Sequence, residues 1–400
     1  MTESALIAPR RAPPRRRQAW SLRSRAVRGW LYQIVAVAVV VALGWLLLSN
    51  TLENMRQRGI QSGFDFLGQP AGFDIGESWL RYDSNDPYWK AFLVGLVNTL
   101  RVAVTGIVLA TVLGTLLGIG RFSRNALVRG LCYGYVELMR NIPVLLQLLM
   151  WYLLLSEYLP AADAPLTLGH MVFLSKNGLS YPLLVWETGH TLAAAGLPIA
   201  IAAGLWFARA ARVRFAHTGT PQPMAWIVLL LLVGLPAIGW LAGGAPHHLE
   251  LPRVGDFQVE GGGSLSPEFL AVLLGLWFYT SAYIAEVVRA GIASVPAGQQ
   301  EASASLGLSR WRTMRLVVLP QALRLIVPPL TNQFLNLTKN SSLAVAVGYP
   351  DLVSIANTSI NQTGRAVECI SIIMLVYLST SLGTSLLMNW FNRRAALKER

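Results

Sequence analysis

Residues 286–320 read EVVRAGIASVPAGQQEASASLGLSRWRTMRLVVLP. The stretch leaves one strongly apolar segment and enters another, yet it carries Arg289, Arg310, Arg312 and Arg315. A basic connection between two apolar segments belongs on the cytoplasmic side of a membrane. Val295-Pro296-Ala297-Gly298 reads as a turn, because proline disfavours the helical conformation in the residue before it. Residues 299–306 then form a short helix, with Ala302 and Leu306 on one face and Glu301 and Ser305 in a second, polar row. Gly307 ends that helix, since glycine takes the left-handed conformation at little cost. Ser309 caps a further helix in which Trp311, Met314 and Val318 share a face, up to Pro320. A helix–glycine–helix knob of small residues, pushed out of a membrane protein on its basic side, suits docking against a soluble partner.

The remaining sequence supplies the membrane protein. Of 400 residues, 54% are hydrophobic and only 13% charged, about half the charge of an ordinary soluble chain. Apolar runs predict eight spans, at about 31–48, 92–119, 131–155, 182–207, 225–241, 267–288, from 325, and at 367–391. Lys and Arg concentrate on the connections this places inside, whereas acids outnumber bases on those it places outside. The positive-inside rule therefore predicts both termini in the cytoplasm, and topology accounts for most of the +13 net charge. Residues 1–28, with eight arginines from Arg10 to Arg28 and several prolines, read as a disordered cytoplasmic tail resting on anionic headgroups. They offer little that would stack on bases, which argues against a nucleic-acid partner. Arg10-Arg11 precedes an apolar run long enough to span and followed by no cleavage site, so the first span is expected to be retained. Gly114-x-x-x-Gly118 in the second span reads as a close helix contact. Cys132 and Cys369 fall at opposite membrane ends, so no disulfide is expected.

The wording of the loop adds a resemblance. Glu301-Ala302-Ser303, Gly307 four residues on, and Val317-x-Leu319-Pro320 resemble the EAA signature of ABC-importer permeases, with Ser303 for a second Ala and Val317 for the usual Ile. Ala282-Tyr283, Glu286, Arg289-Ala290-Gly291 and Pro296-x-Gly298-Gln299 are similar to the polar amino acid permeases in particular. Gly95-Leu96-x-x-Thr99-Leu100 and the run from Tyr135 to Pro143 are similar to that family's opening elements. The extra first span and an inserted hairpin resemble the layout of the larger permease of general L-amino-acid importers, the Aap/Bzt type.

The resemblance implies an all-α polytopic protein containing a five-helix type I importer core. Its parts would be the tail (1–28), an extra span and periplasmic loop (29–90), the permease domain (91–391) and a cytoplasmic end (392–400). Within the permease domain would lie an inserted hairpin (182–243) and the coupling loop (289–324). It implies that Gln299, Glu301, Ala302, Ser303, Gly307, Leu319 and Pro320 meet a cytoplasmic ATPase dimer, Glu301 through a basic residue there, with Glu286, Arg289 and Gly291 bracing the loop. It also implies a second homologous permease, a periplasmic amino-acid-binding protein and an L-amino-acid substrate. The setting would be the lipid bilayer of a bacterial inner membrane.

Polar residues inside the spans are candidates for the translocation pathway, because intramembrane charge is costly unless paired or hydrated. Glu137 and Arg140 stand three apart on one helical face, which suits either a mutual ion pair or a pathway role. Asn141 adjoins them. Lys339-Asn340-Ser341 occupies the place of the family's Lys-Asp-Thr run, and Lys339 either faces the path or snorkels to the outer surface. Pro328-Pro329 should break the seventh helix and free backbone groups to line a polar cavity. Glu187 and Glu368 fall near span ends, which disfavours the rival reading, an ion-coupled secondary transporter with acids at mid-membrane.

No catalytic constellation competes. Lys90, Lys176, Lys339 and Lys398 belong to no G-x-x-x-x-G-K-[ST] loop, so if ATP drives transport it would be bound with Mg and hydrolysed on a separate chain, and no cofactor is expected on this one. The five histidines form no H-E-x-x-H pair, and no metal site is expected. No serine sits in a G-x-S-x-G setting with a base.

Overall fold

The computed structural model describes residues 25–57, 59, 62–169, 171–220, 224–255 and 258–395. The arginine-rich tail before Arg25, His170, Asp256, Lys398 and Arg400 lie outside the described residues. Two compact units are present, residues 1–64 with Thr363–Glu368, and residues 65–362 with Cys369–Arg400.

In the first unit, α1 (Arg25–Gln57) is a single helix whose described side chains from Arg28 to Asn50 are all exposed. An apolar helix with no polar face is what lipid selects. Gly63 is held twice in this unit, its N–H by the Glu368 carboxylate at 2.7 Å and its carbonyl by the Arg365 guanidinium at 2.8 Å.

The second unit is a helical bundle built on α2 (Tyr88–Gly120) and α7 (Pro267–Ala293). Around them lie α3 (Ala126–Asn141), α4 (Val144–Glu157) and α10 (Leu319–Asn340). Gly114 and Gly118 let α2 and α7 touch: a Cβ on Gly114 would stand 2.7 Å from Ile284, and one on Gly118 would stand 2.8 Å from the Ala285 carbonyl. The expected G-x-x-x-G contact is present. α5 (Thr188–Thr218) and α6 (Met224–Ala242) form a hairpin packed chiefly on itself. α11 (Leu352–Thr363) and α12 (Ala366–Ala395) complete the chain after a 3-10 turn at Ser341–Val347. Among the described residues, six helices are long and apolar enough to cross a membrane, seven if a bent pair counts as one, and α6 contributes a shorter apolar helix.

Four details differ from the sequence reading. The third span is not continuous: α3 and α4 meet at 103°. Ile142 before Pro143 is extended, and the buried Gln147 amide donates to the Met139 and Ile142 carbonyls at 2.9 and 3.0 Å, satisfying groups that the break would leave bare. The fourth helix starts at Thr188 rather than 182, because Leu183–Leu184 is a strand, β4, paired with β5 (Leu249–Glu250). The seventh helix begins at Leu319 and runs unbroken through Pro328-Pro329. In lipid a lost turn would bare further backbone groups, so the remaining helical bonds outweigh the two missing donors.

Lastly, the outer connections hold short strands. β1 (Leu166–Leu168), β2 (Val172–Ser175), β3 (Gly178–Tyr181) and β8 (Gly263–Leu265) make an antiparallel sheet in that order. Strands β6 (Arg253–Val254) and β7 (Val259–Glu260) pair separately. The bundle itself is helical throughout, in keeping with the all-α class.

Candidate docking helix and translocation cleft

α8 (Ala297–Ser305) follows α7 across Pro296, whose extended backbone starts the helix. Its termination is a Schellman arrangement. Gly307 has φ +72, its N–H bonds the Ala304 carbonyl at 2.9 Å, and the Leu308 N–H bonds the Ser303 carbonyl at 3.1 Å. Gln299, Glu301, Ala302 and Leu306 are exposed, whereas Ser303 is buried and donates its hydroxyl to the Gln299 carbonyl at 2.6 Å. Five of the expected contact residues, Gln299, Glu301, Ala302, Gly307 and Leu319, thus face solvent; Pro320 is half-buried and Ser303 faces the chain's own interior.

The following segment departs from the expectation. α9 (Arg310–Thr313) begins at Ser309, but the serine hydroxyl makes no capping bond. A π turn at Met314–Val318 then leads into α10. The wider turn breaks the 3.6 spacing, so Trp311 and Met314 are exposed while Val318 is buried. Pro320 lies in the first turn of α10, where its missing N–H costs nothing, and does not end a helix.

Near the C-terminal end of α7, Glu286 and Arg289, two of the residues expected to brace the loop, come together. Glu286 bonds Arg289 and Arg121, each at 2.5 Å, and Arg121 also lies 5.3 Å from the Tyr133 ring centroid. A Cβ on Gly291 would stand 2.3 Å from Ile326, so α7 and α10 touch there. Arg121 is a member that sequence reasoning missed; its place just after the last apolar residue of α2 was the signal.

The pathway candidates divide. Glu137 and Arg140 form no ion pair; the Arg140 guanidinium lies 5.4 Å from the ring centroid of Tyr283 instead. Asn141 is exposed and donates to the Glu137 carbonyl at 2.7 Å. Lys339 is exposed, and Ser341 is buried with its hydroxyl on the Thr338 carbonyl at 2.7 Å. Asn340 lines a cleft of about 270 Å³ with Tyr279, Thr280, Tyr283, Gln333 and Asn336. Tyr283 borders both this cleft and Arg140. Sequence reasoning missed Gln333 and Asn336, although their spacing with Asn340 places all three on one stripe of α10.

At the opposite end of α2 and α7 lies a second unforeseen cluster. The buried Arg101 guanidinium pairs with Glu77, which also accepts from the Ser266 hydroxyl. Arg101 lies 4.7 and 4.1 Å from the ring centroids of Trp79 and Phe269. Asn98 spans the Glu77 and Pro350 carbonyls at 2.8 and 2.9 Å, and Thr99 accepts from the Leu352 N–H at 3.1 Å. An arginine well inside an apolar run was the available signal.

A polytopic helical bundle with a polar cleft between two of its helices and an exposed small-residue helix at one end is the arrangement expected of a membrane permease subunit. Residues 196–397 match the family described as binding-protein-dependent transport system inner membrane component. The chain is 46% identical to the general L-amino acid transport system permease protein AapQ of Rhizobium johnstonii, over 95% of this chain and 96% of that one. It is 45% identical to the putative amino-acid ABC transporter permease protein YhdX of Escherichia coli, over 95% and 97%. It is 40% identical to the glutamate/glutamine/aspartate/asparagine transport system permease protein BztB of Rhodobacter capsulatus, over 92% and 93%. The chain belongs to the binding-protein-dependent transport system inner membrane components, and within them to the larger amino-acid ABC transporter permeases. It is a multi-pass membrane protein, and the secondary-transporter reading is not favoured.

Proposed function

We propose that the chain is the membrane-spanning permease subunit of an ATP-driven importer of L-amino acids. The reading rests most on one observation: α8, with Glu301 and Ala302 exposed, is joined in the chain to α7 on one side and, through α9 and the π turn, to α10 on the other, and α7 and α10 line the Asn340 cleft. A push on α8 is therefore delivered to helices that shape the path. The ATPase pair would sit on the cytoplasmic side against α8, binding ATP and Mg, with both termini of this chain on the same side. A second homologous permease would complete the pathway, and a soluble binding protein would deliver substrate on the far side. The cleft suits a zwitterion, with Arg140 beside Tyr283 for the carboxylate and the Gln333, Asn336 and Asn340 carbonyls for the ammonium group.

The test is purification of the tagged chain from its native membrane, identification of co-purifying chains by mass spectrometry, and assay of ATP hydrolysis with and without amino acids and binding protein. An ATPase with a phosphate-binding lysine loop and a second permease, with hydrolysis stimulated by amino acids, is the expected outcome. Recovery of the chain alone, with uptake persisting in cells that lack the ATPase, would overturn the proposal.

A further inference from the structure

The α5–α6 hairpin plays no part in the docking helix or the cleft, yet it is built with care. Gly189 meets Gly243 and Pro246, a Cβ on Gly196 would stand 3.0 Å from the Leu235 carbonyl, and one on Gly239 would stand 2.6 Å from the Leu192 carbonyl. The start of α5 is thereby registered against the end of α6. With 31 and 19 residues the two helices are about 46 and 28 Å long. Gly204 faces Val228, one turn into α6, so the last turns of α5 overhang its partner. The shorter helix matches the ~30 Å hydrocarbon layer, which places the overhang in the headgroup region.

The overhang carries Arg209, Arg212 and Arg214, all exposed. Between Glu187 and Glu250 the sequence contains no acid, so the hairpin offers these arginines no carboxylate. None of them forms an ion pair among the described residues, in contrast to Arg101, Arg121 and Arg289. Just below them, Trp206 (66% exposed) packs edge-on to Phe207, and Trp226 at the start of α6 is 74% exposed. Tryptophan at that level is the usual marker of a membrane–water interface.

We propose that the α5 overhang is a binding site for the headgroups of anionic phospholipids. The guanidinium groups attract the phosphate oxygens through their positive charge, and Trp206 and Trp226 rest at the acyl boundary beneath them. The missing counter-charge of the hairpin is supplied by the bilayer. The site is separate from α8 and does not depend on which solute the cleft accepts.

The experiment uses the full-length chain in phosphatidylcholine bilayers doped with spin-labelled phosphatidylglycerol or spin-labelled phosphatidylcholine, reading the motionally restricted fraction at low salt. The Arg209→Gln, Arg212→Gln, Arg214→Gln triple variant is expected to lose preference for phosphatidylglycerol, by about fivefold for each arginine engaged. The corresponding triple lysine variant keeps the charge and is expected to keep most of the preference, showing that the fold tolerates change there. A glutamine variant as selective as the wild type overturns the proposal and leaves an acidic protein surface as the partner of these arginines. A lysine variant that loses selectivity as fully as the glutamine one also overturns it.

Discussion

The two ends of the α2–α7 pair treat charge in opposite ways. At one end Arg101 is buried between two rings and answered by Glu77. At the other, Glu286 holds Arg121 and Arg289, but just beyond them Glu301, Arg310, Arg312 and Arg315 are exposed and form no ion pair among the described residues. A buried charge needs its partner within the chain, since water cannot supply one. Exposed, uncommitted charge on a rigidly terminated helix is free to meet a partner outside. The first arrangement ties Glu77 to α2; the second leaves charge exposed on α8 and the segment that follows it.

The comparison breaks most visibly at Arg101. Arg101→Met leaves the partly buried Glu77 without its counter-charge and should cost about 3 kcal/mol, the low end for a buried pair, read as thermal unfolding of the purified protein. Adding Glu77→Gln should restore much of the loss. If the single variant melts like the wild type, the pair does not stabilise the fold.

Asp351 gives the same end a pH dependence. Its carboxyl is buried before α11 and is pushed up to about 7 by desolvation, which outweighs the backbone N–H bonds it accepts, that of Ser354 at 2.8 Å among them. The native state therefore binds a proton that the unfolded chain, with an ordinary carboxylate, has released. The stabilisation is complete below the ordinary value and is lost as pH rises through about 7, with an upper bound of about 4 kcal/mol. The wild type should melt lower at pH 8 than at pH 5, and Asp351→Asn should flatten the difference.

Gly114→Val tests the contact that joins the two ends. The new side chain meets Ile284 and the Ser281 carbonyl, and the overpacking should cost about 1–3 kcal/mol in the same melt. Gly307→Ala should act most locally, by about 1–2 kcal/mol, because alanine is strained at φ +72. Hydrogen exchange should quicken over residues 297–308 while the melting temperature hardly moves.

The docking end was the more legible in sequence. A turn, a run of small residues and a terminating glycine are local signals, and the helix they specify appears within two residues of its expected bounds. The far end depends on contacts between residues distant in sequence, such as Glu77 with Arg101 and Ser266, which local pattern does not reveal. Two features were within reach. Asn177-Gly178, where the Lys176-Asn177 connection meets GLSY, is a turn signal, and β2 and β3 do pair across that connection. Pro143 marks the α3–α4 bend as clearly as any residue can, yet Pro328-Pro329 marks none. What separates them is that Gln147 covers the bare carbonyls at the first site, whereas at the second the helix itself remains the best source of partners.

The central claim is that α8 transmits the state of an ATPase to the cleft, and Glu301→Lys tests it most directly. The substitution reverses an exposed charge that has no partner among the described residues, so the permease should fold and assemble in the membrane as before. In the reconstituted complex, stimulation of ATP hydrolysis by amino acid and binding protein should fall at least tenfold, with uptake falling in step. Stimulation equal to that of the wild type would contradict the account.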